Sequence, residues 1–163
     1  MIVGVRLDER LLHGQTMTNW IGLLNTSHIV IACYEVANDK LQLASLKMVV
    51  PSNIKFSIST VEKAAQILND PRAEKLRIFV LCRTPQDLLE LIKKVPEIKE
   101  ANIAAYGFLV KTKIPNKKNL IPCFLTVDDE DLEALKEIQE KNVHCYSQVV
   151  PSQSKKELDF KIM

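Results

Sequence analysis

Glycine and histidine are both scarce in this chain of 163 residues, with four of the first and three of the second. Gly4, Gly14, Gly22 and Gly107 are too scattered to spell G-x-G-x-x-G or G-x-x-x-x-G-K-[ST], which excludes a dinucleotide turn or a P-loop. Cys33, Cys82, Cys123 and Cys145 stand far apart with no C-x-x-C pair, so neither a zinc site nor a redox dithiol is indicated. Each lies among apolar residues and reads as a buried thiol of a cytosolic protein. There is no H-E-x-x-H, no Ser-His-Asp order and no Cys/His cluster, so nothing asks for a metal or another cofactor. No stretch nears the roughly 18 apolar residues of a membrane span, and the N-terminus lacks a secretory signal pattern. The sequon Asn25-Thr26-Ser27 is then idle, and the expected location is the cytoplasm. With a net charge of +2 and no RNP, zinc-finger or basic-helix pattern, a nucleic-acid partner is not expected either.

What is present is an ordinary globular balance, 47% hydrophobic and 26% charged, at about the length of one domain. Strand-like runs fall at Ile2–Leu7, His28–Tyr34, Lys55–Ser59, Leu76–Cys82, Ala101–Ala105, Leu120–Thr126 and Val143–Val149. Amphipathic stretches lie between them at Gln15–Asn25, Asp39–Val49, Val61–Leu68, Pro85–Lys94 and Asp129–Lys141. The alternation predicts a single α/β domain built on a mostly parallel sheet. Pro51 ends the second helix, Pro71 closes the third and Pro85 suits the first turn of the fourth. Either Asn38 or Asp39 can cap the helix that follows, and Trp20 with Leu23 and Leu24 fits the buried side of the first helix. The stretch KTKIPNKK, Lys111 to Lys118, is the best loop candidate.

The one concentration of chemistry is RLDERLLHGQ, Arg6 to Gln15. If Ile2–Leu7 is a central strand, Asp8–Gly14 is the loop at its carboxyl end, where open α/β sheets bind ligands. The following helix offers free N–H groups and a positive dipole end to an anion, and Gly14 lets the backbone approach closely. Arg10 adds a planar fork of donors. His13 then stands inside an anion-binding loop, where imidazole can form a covalent phosphoryl intermediate. Asp8 or Glu9 could hold its tautomer. Each residue also has a plain reading: His13 as a packed or capping residue, Arg6 as a salt-bridge or surface residue, Asp8 as a turn former. His28 and His144 fall in strands and read as structural.

These residues resemble a known family. RLDERLLHGQ is similar to the R-[IV]-D-[DE]-R-L-[IL]-H-G-Q loop of the IIB subunits of the mannose/fructose/sorbose family of the bacterial sugar phosphotransferase system. The resemblance continues through Trp20, Glu35–Lys40 (EVANDK), Val49–Ala65, Leu125–Val143 and Val149-Val150-Pro151. It implies that His13 accepts a phosphoryl group, on Nδ1, from a phosphorylated IIA protein or domain. The group then passes to a sugar held by the membrane subunits IIC and IID, with which the protein is peripherally associated. It also implies a twisted seven-stranded, mostly parallel sheet of order 3-2-4-1-5-6-7, with helices on both faces.

In that order the loops after strands 4 and 5 flank His13. Arg83 and Thr84 thus become possible pocket-wall residues, against plain roles as an exposed charge and a helix cap. Tyr106 and Gly107 form the other wall. Ala104-Ala105-Tyr106-Gly107 departs from the glycine pair that many members carry there. Arg6, Arg10, Asp8, Gly14 and Gln15 are the expected phosphate-binding or orienting groups, and Arg6, Arg10 and Arg83 could make a cationic docking surface. Two rivals are weighed: a non-catalytic phosphate- or nucleotide-binding module, and a histidine phosphatase. The latter would want R-H-G where this chain has Leu12-His13-Gly14, and a second histidine in the pocket. The sugar and the oligomeric state are not legible.

Overall fold

The computed structural model describes residues 1–108, 117–122 and 124–163, with the side chains of Gln15 and Thr16 outside that description. Cys123 and most of the KTKIPNKK stretch, residues 111–116, therefore also lie outside it. In chain order the elements are β1 (Ile2–Asp8), α1 (Gly14–Leu23), β2 (His28–Ala32), α2 (Tyr34–Ala37), α3 (Lys40–Val49), β3 (Lys55–Ser59) and α4 (Val61–Asn69). After a 3₁₀ turn at Pro71–Lys75 come β4 (Ile78–Cys82), α5 (Pro85–Lys94), β5 (Glu100–Ala105), β6 (Lys118–Ile121) and β7 (Leu125–Val127). The chain closes with α6 (Asp129–Glu140), β8 (His144–Ser147) and β9 (Lys156–Glu157).

Seven of the strands form one sheet in the order β3-β2-β4-β1-β5-β8-β9. Every pairing is parallel except the last, β8 with β9. Counted along the sheet's own strands, this is the expected 3-2-4-1-5-6-7. Side chains alternate across each strand, so a strand covered on both faces buries every residue. In β4, Ile78, Val80 and Cys82 join one apolar cluster while Phe79 and Leu81 join another. The first cluster is closed by α4, α5 and α6 through Leu68, Leu88, Leu91, Leu132 and Leu135. The second is closed by α1 to α3 through Met17, Trp20, Ile21, Val36 and Leu46.

Caps set where the helices begin. Asp39, Thr60 and Thr84 accept backbone N–H groups at the starts of α3, α4 and α5. Asp128 and Asp131 close a reciprocal capping box on α6. Asp39 is thus the cap of its pair, while Asn38 donates its side-chain amide to the Tyr34 carbonyl.

Several expected boundaries are corrected. The second strand stops at Ala32, because Cys33 already caps the short α2 and Tyr34 belongs to that helix. Leu76 caps the 3₁₀ turn that Pro71 opens, its N–H donating to the Ala73 carbonyl, so β4 starts later. Leu120–Thr126 is no strand of the main sheet. It turns at Pro122, which has no N–H for a ladder, and becomes the separate antiparallel hairpin β6–β7. The last apolar run ends as a strand at Ser147, since Asn102 takes both the N–H and the carbonyl of Gln148. The seventh strand is the polar pair Lys156–Glu157, which carries no apolar alternation to betray it. Leu23 points to solvent, not to the core.

The hairpin grips the end of β5: Tyr106 N–H donates to Phe124, and Thr126 N–H donates to Tyr106. Gly107 sits at φ +97°, and a Cβ there would stand 1.9 Å from the Thr126 carbonyl oxygen. Gly107→Ala is therefore expected to cost more than about 2 kcal/mol, read as a lower urea midpoint at unchanged slope.

Candidate active site at the first loop

β1 lies between β4 and β5, so its carboxyl end opens at the middle of the sheet edge. The chain leaves the strand through a tight turn in which Leu11 N–H donates to the Asp8 carbonyl at 2.9 Å. Leu11 takes a left-handed conformation, φ 56°, unfavourable by roughly 1–2 kcal/mol for a side-chain-bearing residue. Leu11 and Leu12 are both buried, in the apolar cluster under α1. Their burial offsets that strain and leaves His13 as the residue that faces outward. His13 is the N-cap residue of α1 but makes no side-chain capping bond. The N–H groups of the helix's first turn, at Gly14, Gln15 and Thr16, have no intrahelical partner and carry the positive end of the helix dipole.

Asp8 is the hub. Fully buried, its carboxylate accepts from Arg6 Nη2 at 3.1 Å, from Arg10 Nε and Nη2 at 3.0 and 3.1 Å, and from the Arg10 N–H at 3.1 Å. His13 Nε2 lies 3.1 Å from Asp8 Oδ2, with the ring 23% exposed. A carboxylate only accepts, so Nε2 carries the proton of this contact, and it is Nδ1 that can present a lone pair. Burial by itself would raise the Asp8 pKa. The hydrogen bonds from His13 and Arg10 and the charges of Arg6 and Arg10 outweigh it and hold the carboxyl well below the usual range.

Arg6 is 1% exposed, so it adds nothing to a docking surface. Its Nη1 and Nη2 donate to the carbonyls of Gln148 and Val149, each at 3.0 Å. Its guanidinium carbon lies 5.3 Å from the Trp20 ring centre, and Trp20 Nε1 donates to the same Val149 carbonyl. Burial lowers the Arg6 pKa, opposed by its pairing with Asp8. Arg6 is thus a positive brace behind Asp8, while Arg10 stays partly exposed beside His13.

Of the two acids expected to hold the ring, Asp8 makes the contact to His13, while Glu9 is tied to the loop after β5. Its carboxylate accepts the N–H groups of Gly107 and Phe108 at 3.0 and 2.8 Å. Arg83 Nε donates to the Glu9 carbonyl at 3.0 Å, and its Nη1 to Gln42 Oε1 at 3.0 Å. Arg83 accordingly ties the first loop to the start of α3, and Thr84 caps α5 by accepting the Asp87 N–H. Tyr106 turns into the core, 3% exposed, where its hydroxyl donates to Asp131 Oδ1 at 3.1 Å; it is not a wall of the pocket. The other two histidines open β2 and β8 at the opposite edge of the sheet, where His144 pairs with Glu100 and Glu157. The second pocket histidine of a phosphatase is therefore not supplied by either. Cys33, Cys82 and Cys145 are buried free thiols, each pushed to a higher pKa by that burial. Among the described residues no group of three His, Cys, Asp or Glu side chains could hold a metal ion.

Residues 2–163 match the family described as the sorbose subfamily IIB component of the phosphotransferase system (PTS). The chain belongs to this IIB family. It is 35% identical to a probable phosphotransferase enzyme IIB component of Streptococcus pyogenes, over 95% of each chain. It is 30% identical to N-acetylgalactosamine-specific phosphotransferase enzyme IIB component 2 of Escherichia coli, over 99% of this chain and 98% of that one. In fold it is similar to the crystal structure of the IIBSor domain of the sorbose permease from Klebsiella pneumoniae. The TM-score there is 0.85 at 28% identity, with 96% and 92% of the two chains covered. The protein is thus a phosphotransferase of the PTS IIB type, which takes a phosphoryl group from IIA and gives it to sugar.

Because Asp8 is ionised far more readily in this IIB component than in an unfolded chain, it adds stability above its ordinary pKa of about 4 and loses it as the pH falls. Asp8→Asn leaves Arg6 buried without its counter-charge and is expected to cost about 3–5 kcal/mol at neutral pH. The gap between wild type and variant should narrow as the pH falls below about 4. Urea melts at a series of pH values would show this.

Proposed function

We propose that His13 is the phosphorylated nucleophile of this IIB component. Its Nδ1 attacks the phosphoryl group of a phosphorylated IIA protein, the bond to the donor breaks, and the group rests on His13 until a sugar hydroxyl displaces it. The observation that carries this reading is the Asp8 contact to Nε2, which leaves Nδ1 as the free nucleophile at the dipole end of α1. The three phosphoryl oxygens are met by the first-turn N–H groups of α1, with Gly14 imposing no side chain, and by Arg10. Asp8 orients the ring, and Arg6 acts on it only through Asp8. Arg83, Thr84 and Gly107 hold the surrounding loops. The side chain of Gln15 lies outside the described residues and keeps no assigned role beyond its backbone N–H.

The acceptor step places the protein, in the cytoplasm, against membrane subunits of the IIC and IID type. None of the described helices is long and apolar enough to cross a membrane, so attachment would come through those subunits. The similarity to relatives named for sorbose, fructose, N-acetylgalactosamine and mannose supports a sugar as the final acceptor without choosing among them.

Intact-mass analysis after incubation with phosphoenolpyruvate, the general phosphotransferase proteins and a matching IIA should show one acid-labile phosphoryl adduct. His13→Ala and His13→Gln should show none. An adduct that persists in both variants would move the site elsewhere. Nitrogen-15 NMR of the labelled wild type should place the phosphorus on Nδ1, and attachment at Nε2 would overturn the role given to Asp8.

A further inference from the structure

Arg6 pairs with Asp8 in the core, and a neighbouring strand sets how it lies. β5 runs between β1 and β8, and within it Asn102 stands opposite Arg6 on one side and Tyr146 on the other. The Asn102 side chain is buried and grips one residue twice. Its Nδ2 donates to the Gln148 carbonyl at 2.8 Å, and its Oδ1 accepts the Gln148 N–H at 3.0 Å. The Gln148 carbonyl accepts a second bond, from Arg6 Nη1 at 3.0 Å. The next carbonyl along, that of Val149, takes Arg6 Nη2 and Trp20 Nε1, each at 3.0 Å. The Gln148 side chain turns forward onto the Pro151 and Gln153 carbonyls, at 3.3 and 2.7 Å, which braces residues 148–153 as a turn. Four donors on two adjacent carbonyls thus hold the guanidinium, and the Trp20 ring flanks it.

We infer that Asn102 is a positioning residue for phosphoryl transfer, acting through the Gln148 carbonyl on Arg6, through Arg6 on Asp8, and through Asp8 on the His13 ring. The inference rests on the carrier reading above and extends it to a residue that touches none of the reacting atoms. The chemistry required at position 102 is specific. A side-chain amide donates through one atom and accepts through the other while carrying no charge. A carboxylate of the same size would keep the Gln148 N–H, but it would repel the carbonyl and compete with Asp8 for Arg6. An apolar side chain would leave the Gln148 N–H without its acceptor and let the turn shift. Carbonyl dipoles, by contrast, fix the direction of Arg6 without taking its charge, which stays with Asp8. A guanidinium on a long stem carries about 2 kcal/mol of rotamer entropy, so its pose has to be imposed from outside. The ring at the end of this series must be set closely: a misplacement of about 1 Å, even from a change far from the chemistry, can cost on the order of 10²-fold in rate.

The test measures acceptance from phosphorylated IIA by Asn102→Asp and Asn102→Ala beside the wild type, per folded molecule. The expected result is a kcat lowered about tenfold, with KM within about twofold because Asn102 is buried away from any partner. Labelling by phosphoramidate, a small donor, should slow by the same factor. Nitrogen-15 NMR of the unphosphorylated ring is the second readout: the neutral His13 of the wild type should show the Nε2–H tautomer alone, and both variants a mixture of the two. A merely structural role for Asn102 would lower stability and leave the tautomer of the folded protein as it was. Trp20→Phe keeps an aromatic ring beside Arg6 and removes one donor from the Val149 carbonyl, so it serves where neither Asn102 variant folds. It should lower kcat about threefold and admix the second tautomer, and combined with Asn102→Ala it should give less than the product of the two effects. A normal kcat in the folded variants, a raised KM at normal kcat, or a slower reaction with the wild-type tautomer intact would each overturn the inference. The NMR measurement needs no phosphoryl donor, so the two readings fail separately. A wild type that takes no phosphoryl group from a cognate phospho-IIA sinks the carrier reading, and the inference with it, even where the ring responds to Asn102.

Discussion

The site depends on one buried carboxylate. Asp8 is the point at which Arg6, Arg10 and His13 converge, and it sits where a central strand ends. Taking a carboxylate and a guanidinium out of water costs several kcal/mol per ion, and mutual attraction returns little beyond that cost. Stability alone does not explain the pair. Geometry does: Asp8 is held by donors on several sides, so it cannot rotate, and the imidazole it binds has one tautomer and one orientation. The buried charge is a jig for the ring.

The rest of the edge is arranged around that jig. Arg6 reaches carbonyls of the segment after β8, so the brace behind Asp8 is anchored far along the chain. Glu9, just past the strand end, ties the loop after β5, and Arg83 ties the loop after β4 to the same residue. Three consecutive residues therefore divide the work. Asp8 holds the His13 ring, Glu9 fixes the surrounding loops, and Arg10 remains partly exposed. Left-handed Leu11 then turns the chain so that two leucines seal the core beneath His13.

How much of this the sequence disclosed varies with the physics of each feature. The sheet and its order were legible because apolar runs mark covered strands and because the loop residues resemble a family of known topology. His13, Arg10 and Asp8 were legible as chemistry carried by side-chain type. The salt-bridge reading of Arg6 matches its pairing with Asp8, but its burial as a brace was not legible, since its other two partners are backbone carbonyls, and any residue supplies those. Tyr106 was misplaced because an aromatic after a strand says nothing about which face it turns to; the carboxylate of Asp131 decides that. The hairpin β6–β7 was hidden by an apolar run that looks continuous until Pro122 denies it a ladder. The pair Lys156–Glu157 is too short and too polar to carry any periodic signal.

On the role proposed for His13, a carboxylate beside a histidine that takes up a phosphoryl dianion looks self-defeating, since like charges repel. The arrangement resolves this by where it puts the positive charge. Arg6 is buried against Asp8 and has no route to solvent, so its charge neutralises the carboxylate and nothing else. Arg10 shares the same carboxylate but remains at the surface, and the dipole end of α1 faces the ring. With Asp8 and Arg6 cancelling, Arg10 and the helix end are the net field that an incoming phosphoryl group meets. On the proposed role, that sharing of Arg10 with Asp8 suits a carrier, since a group bound too tightly on His13 could not be given up to sugar. One buried arginine thus lets the same carboxylate orient the His13 ring while the charge left facing outward stays positive.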